Sequence, residues 1–352
     1  MPRKFNPSPI SANEIGYIRK DTSEPGILYS SGRRGPAGAI RAASWSPDGT
    51  RVVFHKRVPG PPKPRWNTYS RNAKYELSLV SGALPAFSPS GAEFLTNGVP
   101  SGGGKLSALR VTAATTGETR VVYQDKTRNV LAGAWSPDGT RIIFGVGAFA
   151  AFFDGFHSEF LKPGDRVEGG AQVAVVNADG SHFRALTPAP GNNAFPSFGP
   201  DGKRVVYRTF SSDGDGLRIM NLDTGQTTTL TSGYDNFPLW SPRGDLIMFA
   251  RLAGGAYDVY TIKPNGTGLK RLTNGHGNDA HMAWSPDGEY IAFSSSRTGF
   301  KDEAIYTDAP QPYGEIFVMR YDGTGVEQLT DNQWEDGAPG WQRTTSAEMA
   351  RR

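Results

Sequence analysis

The chain has 352 residues, with 38 basic and 34 acidic side chains, a formal net charge of +4 and no cysteine. Near-balanced charge with no long basic stripe argues against a nucleic-acid partner, and the missing thiols exclude disulfides, cysteine nucleophiles and cysteine-ligated metals. The opening Met1-Pro-Arg-Lys-Phe-Asn-Pro7 segment lacks an apolar core and no stretch is long enough to span a membrane, so the chain as written is expected to be cytoplasmic, or exported if a leader has been trimmed.

The first predicted element is a hairpin over 13–31, formed by Ile15-Gly-Tyr-Ile-Arg19 and Ile27-Leu-Tyr-Ser30. From Trp45 onward one phrase then recurs six times: Trp45-Ser-Pro-Asp-Gly49, Phe87-Ser-Pro-Ser-Gly91, Trp135-Ser-Pro-Asp-Gly139, Phe198-Gly-Pro-Asp-Gly202, Trp240-Ser-Pro-Arg-Gly244 and Trp284-Ser-Pro-Asp-Gly288. Gly340-Trp341 reads as a truncated seventh copy. In each phrase proline presets φ, aspartate suits the next turn position and glycine takes a left-handed residue, which joins two antiparallel strands. The aromatic ends the first strand, and a β-branched run such as Arg51-Val-Val-Phe54 begins the second. Most copies carry a further hairpin, as in Val173–Gly180 with Arg184-Ala-Leu-Thr187, Tyr257–Gly266 with Lys270-Arg-Leu-Thr273, and Ile316–Gly323 with Glu327-Gln-Leu-Thr330.

Four antiparallel strands repeated every 40 to 50 residues or so predict the blades of a β-propeller. The expected fold is all-β and seven-bladed, a single domain over 1–352. The N-terminal hairpin and a C-terminal strand over 338–343 would share the closing blade, and a six-bladed ring is the alternative. The Trp-Ser-Pro-Asp-Gly repeats resemble the TolB-like, WD40-like (PD40) propellers over nearly the whole chain. That resemblance implies the fold but no single activity. It extends to the colicin-import protein TolB, to propellers of prolyl-oligopeptidase-type peptidases and to propeller lyases similar to oligogalacturonate lyase.

In such a fold the connections from second to third strands, and from one blade to the next, emerge on one face. The two longest connections, about 147–169 and 296–313, belong there. The first, Gly147–Phe160, holds five phenylalanines and His157, and reads either as a lid packed across the blades or as a pocket wall. Polar residues cluster where chains enter the first strands: Asn192-Asn193, Tyr234-Asp235-Asn236, Asn278-Asp279-Ala280-His281 and Glu335-Asp336. Basic residues follow the second strands: His55, Lys56, Arg57, Arg208, Arg251 and Arg297. The bland reading is that the acids and amides cap loop backbone and the arginines pair with neighbouring aspartates.

The functional reading is a pocket for a small anionic ligand, an acidic sugar or similar. Arg57, Arg208, Arg251, Arg297, Asn236 and Asn193 would bind it. Asp279, Asp235, Glu335 and Asp336 could hold a divalent cation, although no cofactor is otherwise evident. By analogy with propeller lyases the reaction would be β-elimination, with His281, His55, His157 or Tyr306 taking the proton. No Gly-x-Ser-x-Gly is present, which sets aside a serine peptidase. The competing function is a non-catalytic scaffold with a protein partner.

Overall fold

The computed structural model describes residues 15–18, 27–32, 40–48, 51–58, 65–71, 76–81, 83–98, 108–126, 128, 130–147, 170–188, 191–210, 214–299, 314–331 and 335–341. Every regular element among them is a β-strand. The N-terminal pair is β1 (Ile15–Ile18) and β2 (Ile27–Gly32). The first full repeat holds β3 (Ile40–Trp45), β4 (Val52–Val58), β5 (Arg65–Arg71) and β6 (Glu76–Ser81). The second holds β7 (Ala83–Phe87), β8 (Glu93–Gly98), β9 (Ala108–Ala113) and β10 (Thr119–Gln124). The third holds β11 (Val130–Trp135), β12 (Arg141–Gly147), β13 (Ala171–Asn177) and β14 (Arg184–Ala185). The fourth holds β15 (Asn192–Phe198), β16 (Arg204–Phe210), β17 (Gly216–Asn221) and β18 (Thr227–Thr229). The fifth holds β19 (Asp235–Trp240), β20 (Ile247–Ala253), β21 (Ala256–Ile262) and β22 (Lys270–Arg271). The sixth holds β23 (Asp279–Trp284), β24 (Tyr290–Ser295), β25 (Glu315–Arg320) and β26 (Glu327–Gln328), and the chain's last described strand is β27 (Glu335–Trp341).

Each repeat is a four-stranded sheet with its strands in chain order, and the third and fourth are joined by one parallel pairing, Ala171 with Asn192. The terminal segments share a sheet, because β27 runs antiparallel to β2 and β2 to β1. The chain divides into two compact units, one of residues 1–85, 256–259 and 271–352, the other of residues 86–255 and 260–270.

The repeated turns form as their residue types dictate. In the third repeat the Ser136 hydroxyl donates to Asp138 Oδ1 at 2.5 Å and accepts from the Arg141 amide at 2.9 Å, while the Gly139 amide closes onto the Ser136 carbonyl at 2.9 Å. Gly139 has φ 72°, the left-handed region in which a Cβ is costly. Burial pushes the Asp138 carboxyl up, but bonds from Ser136 and Thr140 and the charge of Arg141 outweigh it and leave it below its ordinary value.

Beneath the turns lie apolar layers, since strands alternate their side chains between faces. In the second unit Leu95, Leu109, Val111, Ile142 and Phe144 form one fully buried cluster, and Val206, Leu217, Ile247 and Phe249 form another. Two of the tryptophans tie repeats together by their indole N–H, whereas Trp240 donates to Gly244 in its own turn. Trp135 donates to the Ala86 carbonyl at 3.0 Å, and in the other unit Trp341 donates to the Ala283 carbonyl at 3.0 Å. Both acceptors immediately precede the motif aromatic of another repeat, so the lone Gly340-Trp341 pair does the work of a full copy.

Candidate functional site

Counting back five residues from the motif aromatic brings the same strand position into register in four repeats: Asn193 before Phe198, Asp235 before Trp240, Asp279 before Trp284 and Asp336 before Trp341. All four are buried, at 6%, 0%, 1% and 0% exposure. A buried carboxylate needs a charged or hydrogen-bonding partner.

Asp235 in the second unit has both. Arg251, its cross-strand neighbour, donates through Nε at 2.6 Å and Nη2 at 2.8 Å to the two carboxylate oxygens. The Thr231 hydroxyl donates to Asp235 Oδ2 and accepts from the Leu217 amide at 2.9 Å. The guanidinium also lies 5.3 Å and 5.2 Å from the Phe249 and Tyr260 ring centres. The hydrogen bonds it donates to Asp235 raise the Arg251 pKa despite partial burial.

Asp279 in the first unit repeats the pairing. Arg297 Nη2 donates to its Oδ2 at 2.8 Å and Nε to the Ser295 hydroxyl at 2.8 Å, with the Phe317 ring 4.7 Å away. Close by, Asp258 accepts from Arg271 at 2.6 Å and from the Thr273 hydroxyl at 3.2 Å. Burial nevertheless raises the Asp258 pKa, Arg271 and Thr273 oppose it, and the Asp279 charge adds to the rise. A carboxyl with a raised native pKa holds its proton more tightly when folded, so its favourable contribution is complete below its unfolded value and fades as pH rises through the native one. Urea unfolding of Asp258→Asn against the parent should therefore show the variant gaining relative stability as pH climbs from below the ordinary carboxylate range; a constant difference would contradict the assignment.

The threonines were not among the candidate residues. The same bond, from a third-strand amide to a threonine hydroxyl, joins Val173 to Thr187, Leu217 to Thr231 and Val259 to Thr273, each at 2.9 Å, and Ile316 to Thr330 at 2.8 Å. The signal was in the recurring Leu-Thr pairs at 186–187, 230–231, 272–273 and 329–330.

The fourth repeat departs from this pattern. Asn193 stands where the neighbours carry aspartate, opposite Thr209. Arg208, 3% exposed, donates to the side-chain oxygens of Asn192 at 2.5 Å and Asn236 at 3.3 Å. Its guanidinium lies 5.1 Å from the Phe195 ring centre and 4.3 Å from that of Phe210. Arg208 stands one strand position before the counterpart of Arg251, whose place in this repeat is taken by Thr209, and amide oxygens accept from its guanidinium.

The first strands also share a β-bulge, marked by register shifts between Ala194 and Ser197, Asn236 and Leu239, and Ala280 and Ala283. Inside it Phe195, Phe237 and His281 adopt φ of 52°, 51° and 53°, each three residues before the motif aromatic. All three side chains are half-buried.

Of the four catalytic candidates, His281 alone has a described side chain. His157 and Tyr306 lie outside the described residues, and His55 and Arg57 on β4 and Glu335 on β27 have side chains outside the described part. Asn193, Arg208, Asp235, Asn236 and Arg251 fall in one unit, and Asp279, His281, Arg297 and Asp336 in the other. Among the described residues no three histidine, cysteine, aspartate or glutamate side chains stand together as a metal would require.

Four-stranded antiparallel sheets whose first strands end in the same aromatic turn motif are the repeat unit of β-propeller proteins. Residues 165–309 match the family model described as the TolB beta propeller domain, so this segment is similar to TolB propeller repeats. A TolB homolog of Chlorobium luteolum is 32% identical over 122 residues, 34% of this chain and 28% of that protein, so the match spans little more than a quarter of the relative's length. Crystalline TolB from Acinetobacter baumannii has a similar fold, with a TM-score of 0.57 at 17% identity over 84% of this chain and 67% of that one. An oligogalacturonate lyase in complex with manganese reaches a TM-score of 0.61 at 13% identity, over 93% of this chain and 86% of that one.

Proposed function

We propose that the chain is a single seven-bladed TolB-like propeller over 1–352, closed by its two terminal segments, and that it binds a small anionic ligand beside Arg208. One observation carries this reading. Arg251 and Arg297 donate to the Asp235 and Asp279 carboxylates, whereas the buried Arg208 donates to the side-chain oxygens of Asn192 and Asn236. A carboxylate is a stronger acceptor for guanidinium than an amide, so a ligand carboxylate exchanging onto Arg208 restores the pairing that the other repeats build in. The same exchange gains nothing at Arg251 or Arg297, which already have carboxylates.

The ligand class is an acidic sugar, a reading that also draws on the likeness in fold to the lyase. Of the carboxylates proposed for a divalent cation, Asp235 gives both oxygens to Arg251 and Asp279 gives Oδ2 to Arg297, and no three such groups cluster among the described residues. Thermal-shift screening of the full chain should find that a uronate raises the melting temperature, by about 1 kcal/mol of stabilisation when ligand is several-fold above its Kd, and that Arg208→Gln abolishes the rise. No shift with any organic acid would refute the reading.

A second reading, a scaffold for a protein partner, rests on a different feature. Val121 and Phe183 are 50% and 41% exposed, with Tyr123 stacked on Phe183 at 4.5 Å, a small apolar patch in the second unit.

A further inference from the structure

The chain holds three Asn-Gly pairs, Asn97-Gly98, Asn265-Gly266 and Asn274-Gly275, and each has different surroundings. An Asn-Gly pair can modify itself. The glycine nitrogen, once it loses its proton, attacks the asparagine side-chain carbonyl carbon; the new C–N bond closes a succinimide ring and the side-chain nitrogen leaves as ammonia. Water then opens the ring at either carbonyl, giving aspartate or isoaspartate, and in isoaspartate the main chain runs one atom longer through the side-chain carbons. Glycine permits the attack because no Cβ stands in the way.

What decides the reaction is whether the side chain and the glycine amide are free to meet. Asn97 is fully buried on β8, whose Gly98 pairs with Ala108, and its amide nitrogen donates to the Val130 carbonyl at 3.1 Å. Asn265 is exposed but locked in a turn: its Oδ1 accepts from the Thr267 amide at 3.1 Å and hydroxyl at 2.8 Å, and the Gly266 amide donates to the Lys263 carbonyl at 2.9 Å. Asn274 is exposed in the connection from β22 to β23, and among the described residues neither its side chain nor the Gly275 amide makes a hydrogen bond.

That connection has no slack. At its start the Thr273 hydroxyl accepts from the Val259 amide at 2.9 Å and donates to Asp258 at 3.2 Å; at its end the Asn278 amide donates to the Ser296 hydroxyl at 2.9 Å and its side-chain oxygen accepts from the Tyr257 amide at 3.0 Å. Between them, a Cβ on Gly275 would lie 3.6 Å from the Arg297 guanidinium carbon, and one on Gly277 2.8 Å from the Ser296 carbonyl carbon. Asp279 follows directly, with Oδ2 on Arg297 and Oδ1 buried without a hydrogen bond.

We propose that Asn274-Gly275 is a self-modification site whose isoaspartate product pushes this connection off its anchors and loosens the Asp279–Arg297 pair. The aspartate product keeps the main-chain length, so it leaves the pair in place. The site lies in the first unit and needs no ligand at Arg208.

The test is to age the full chain at mildly alkaline pH and body temperature, map its peptides by mass spectrometry and separate the deamidated chains by charge. Deamidation at Asn274 should exceed that at Asn265 by at least about tenfold, because Asn265-Gly266 must first give up three hydrogen bonds, and Asn97 should stay intact. Gly275→Ala, whose Cβ meets Arg297 only at ordinary contact distance, should slow the reaction at 274, and Asn274→Gln should stop it. The isoaspartate fraction should unfold at a lower urea midpoint than the unaged parent, whereas Asn274→Asp should match the parent, and the drop should shrink in Arg297→Gln, where the pair is already gone. Equal rates at 265 and 274 would overturn the site. An isoaspartate fraction as stable as the parent, or Asn274→Asp as weak as that fraction, would overturn its effect on the pair.

Discussion

Replacing Asp235 with alanine is expected to cost the fold about 3 kcal/mol, the lower part of the range for breaking a buried ion pair. The carboxylate is fully buried and accepts two guanidinium bonds from Arg251 and one hydroxyl bond from Thr231. Without it, the Arg251 charge keeps only 18% of its side-chain surface in solvent, and Thr231 loses the acceptor that orients it toward the Leu217 amide. Arg251 can turn partly outward, which holds the cost below the top of the range. Equilibrium urea unfolding measures the loss, and a double-mutant cycle with Arg251→Ala should show the pair costing less than the sum of the single changes. Additive losses would mean that the two side chains stabilise the sheet independently.

Gly216→Ala should be as damaging, at about 3 kcal/mol or more, for a reason of backbone and space together. Gly216 has φ 126°, and a Cβ there would meet the Thr231 carbonyl oxygen at 2.2 Å and its carbon at 2.7 Å. Neither atom belongs to a side chain that can swing away. Thr231 is also the residue that bonds Leu217 and Asp235, so the clash would strain the same clamp that Asp235→Ala empties. A variant that unfolds within about 1 kcal/mol of the parent would show that the strand end yields cheaply.

The turn chemistry was legible from residue types, because Ser-Pro-Asp-Gly allows few backbone solutions and six copies of one phrase leave little freedom to the strands on either side. The sharing of a sheet by the two terminal segments was legible from the stub at Trp341, which bonds Ala283 as Trp135 bonds Ala86. The arginines were ambiguous for a physical reason. Whether Arg251 meets a ligand or Asp235 depends on cross-strand register, and a slip of one residue reverses the face. Arg208 sits ten residues past its motif aromatic and Arg251 eleven, so they face Ala194 and Asp235 respectively. The bulge that turns Phe195 and Phe237 had no sequence mark, since neither is a residue type that favours left-handed backbone.

The central claim is that a carboxylate-held arginine stabilises this fold while the amide-held one serves a ligand. Measuring urea unfolding and galacturonate binding side by side on Arg251→Gln and Arg208→Gln tests it most directly. Arg251→Gln should lose stability several-fold more than Arg208→Gln, because it strands the buried Asp235 charge, while Arg208→Gln alone should lose binding. Equal losses of stability with binding intact in both would contradict the account.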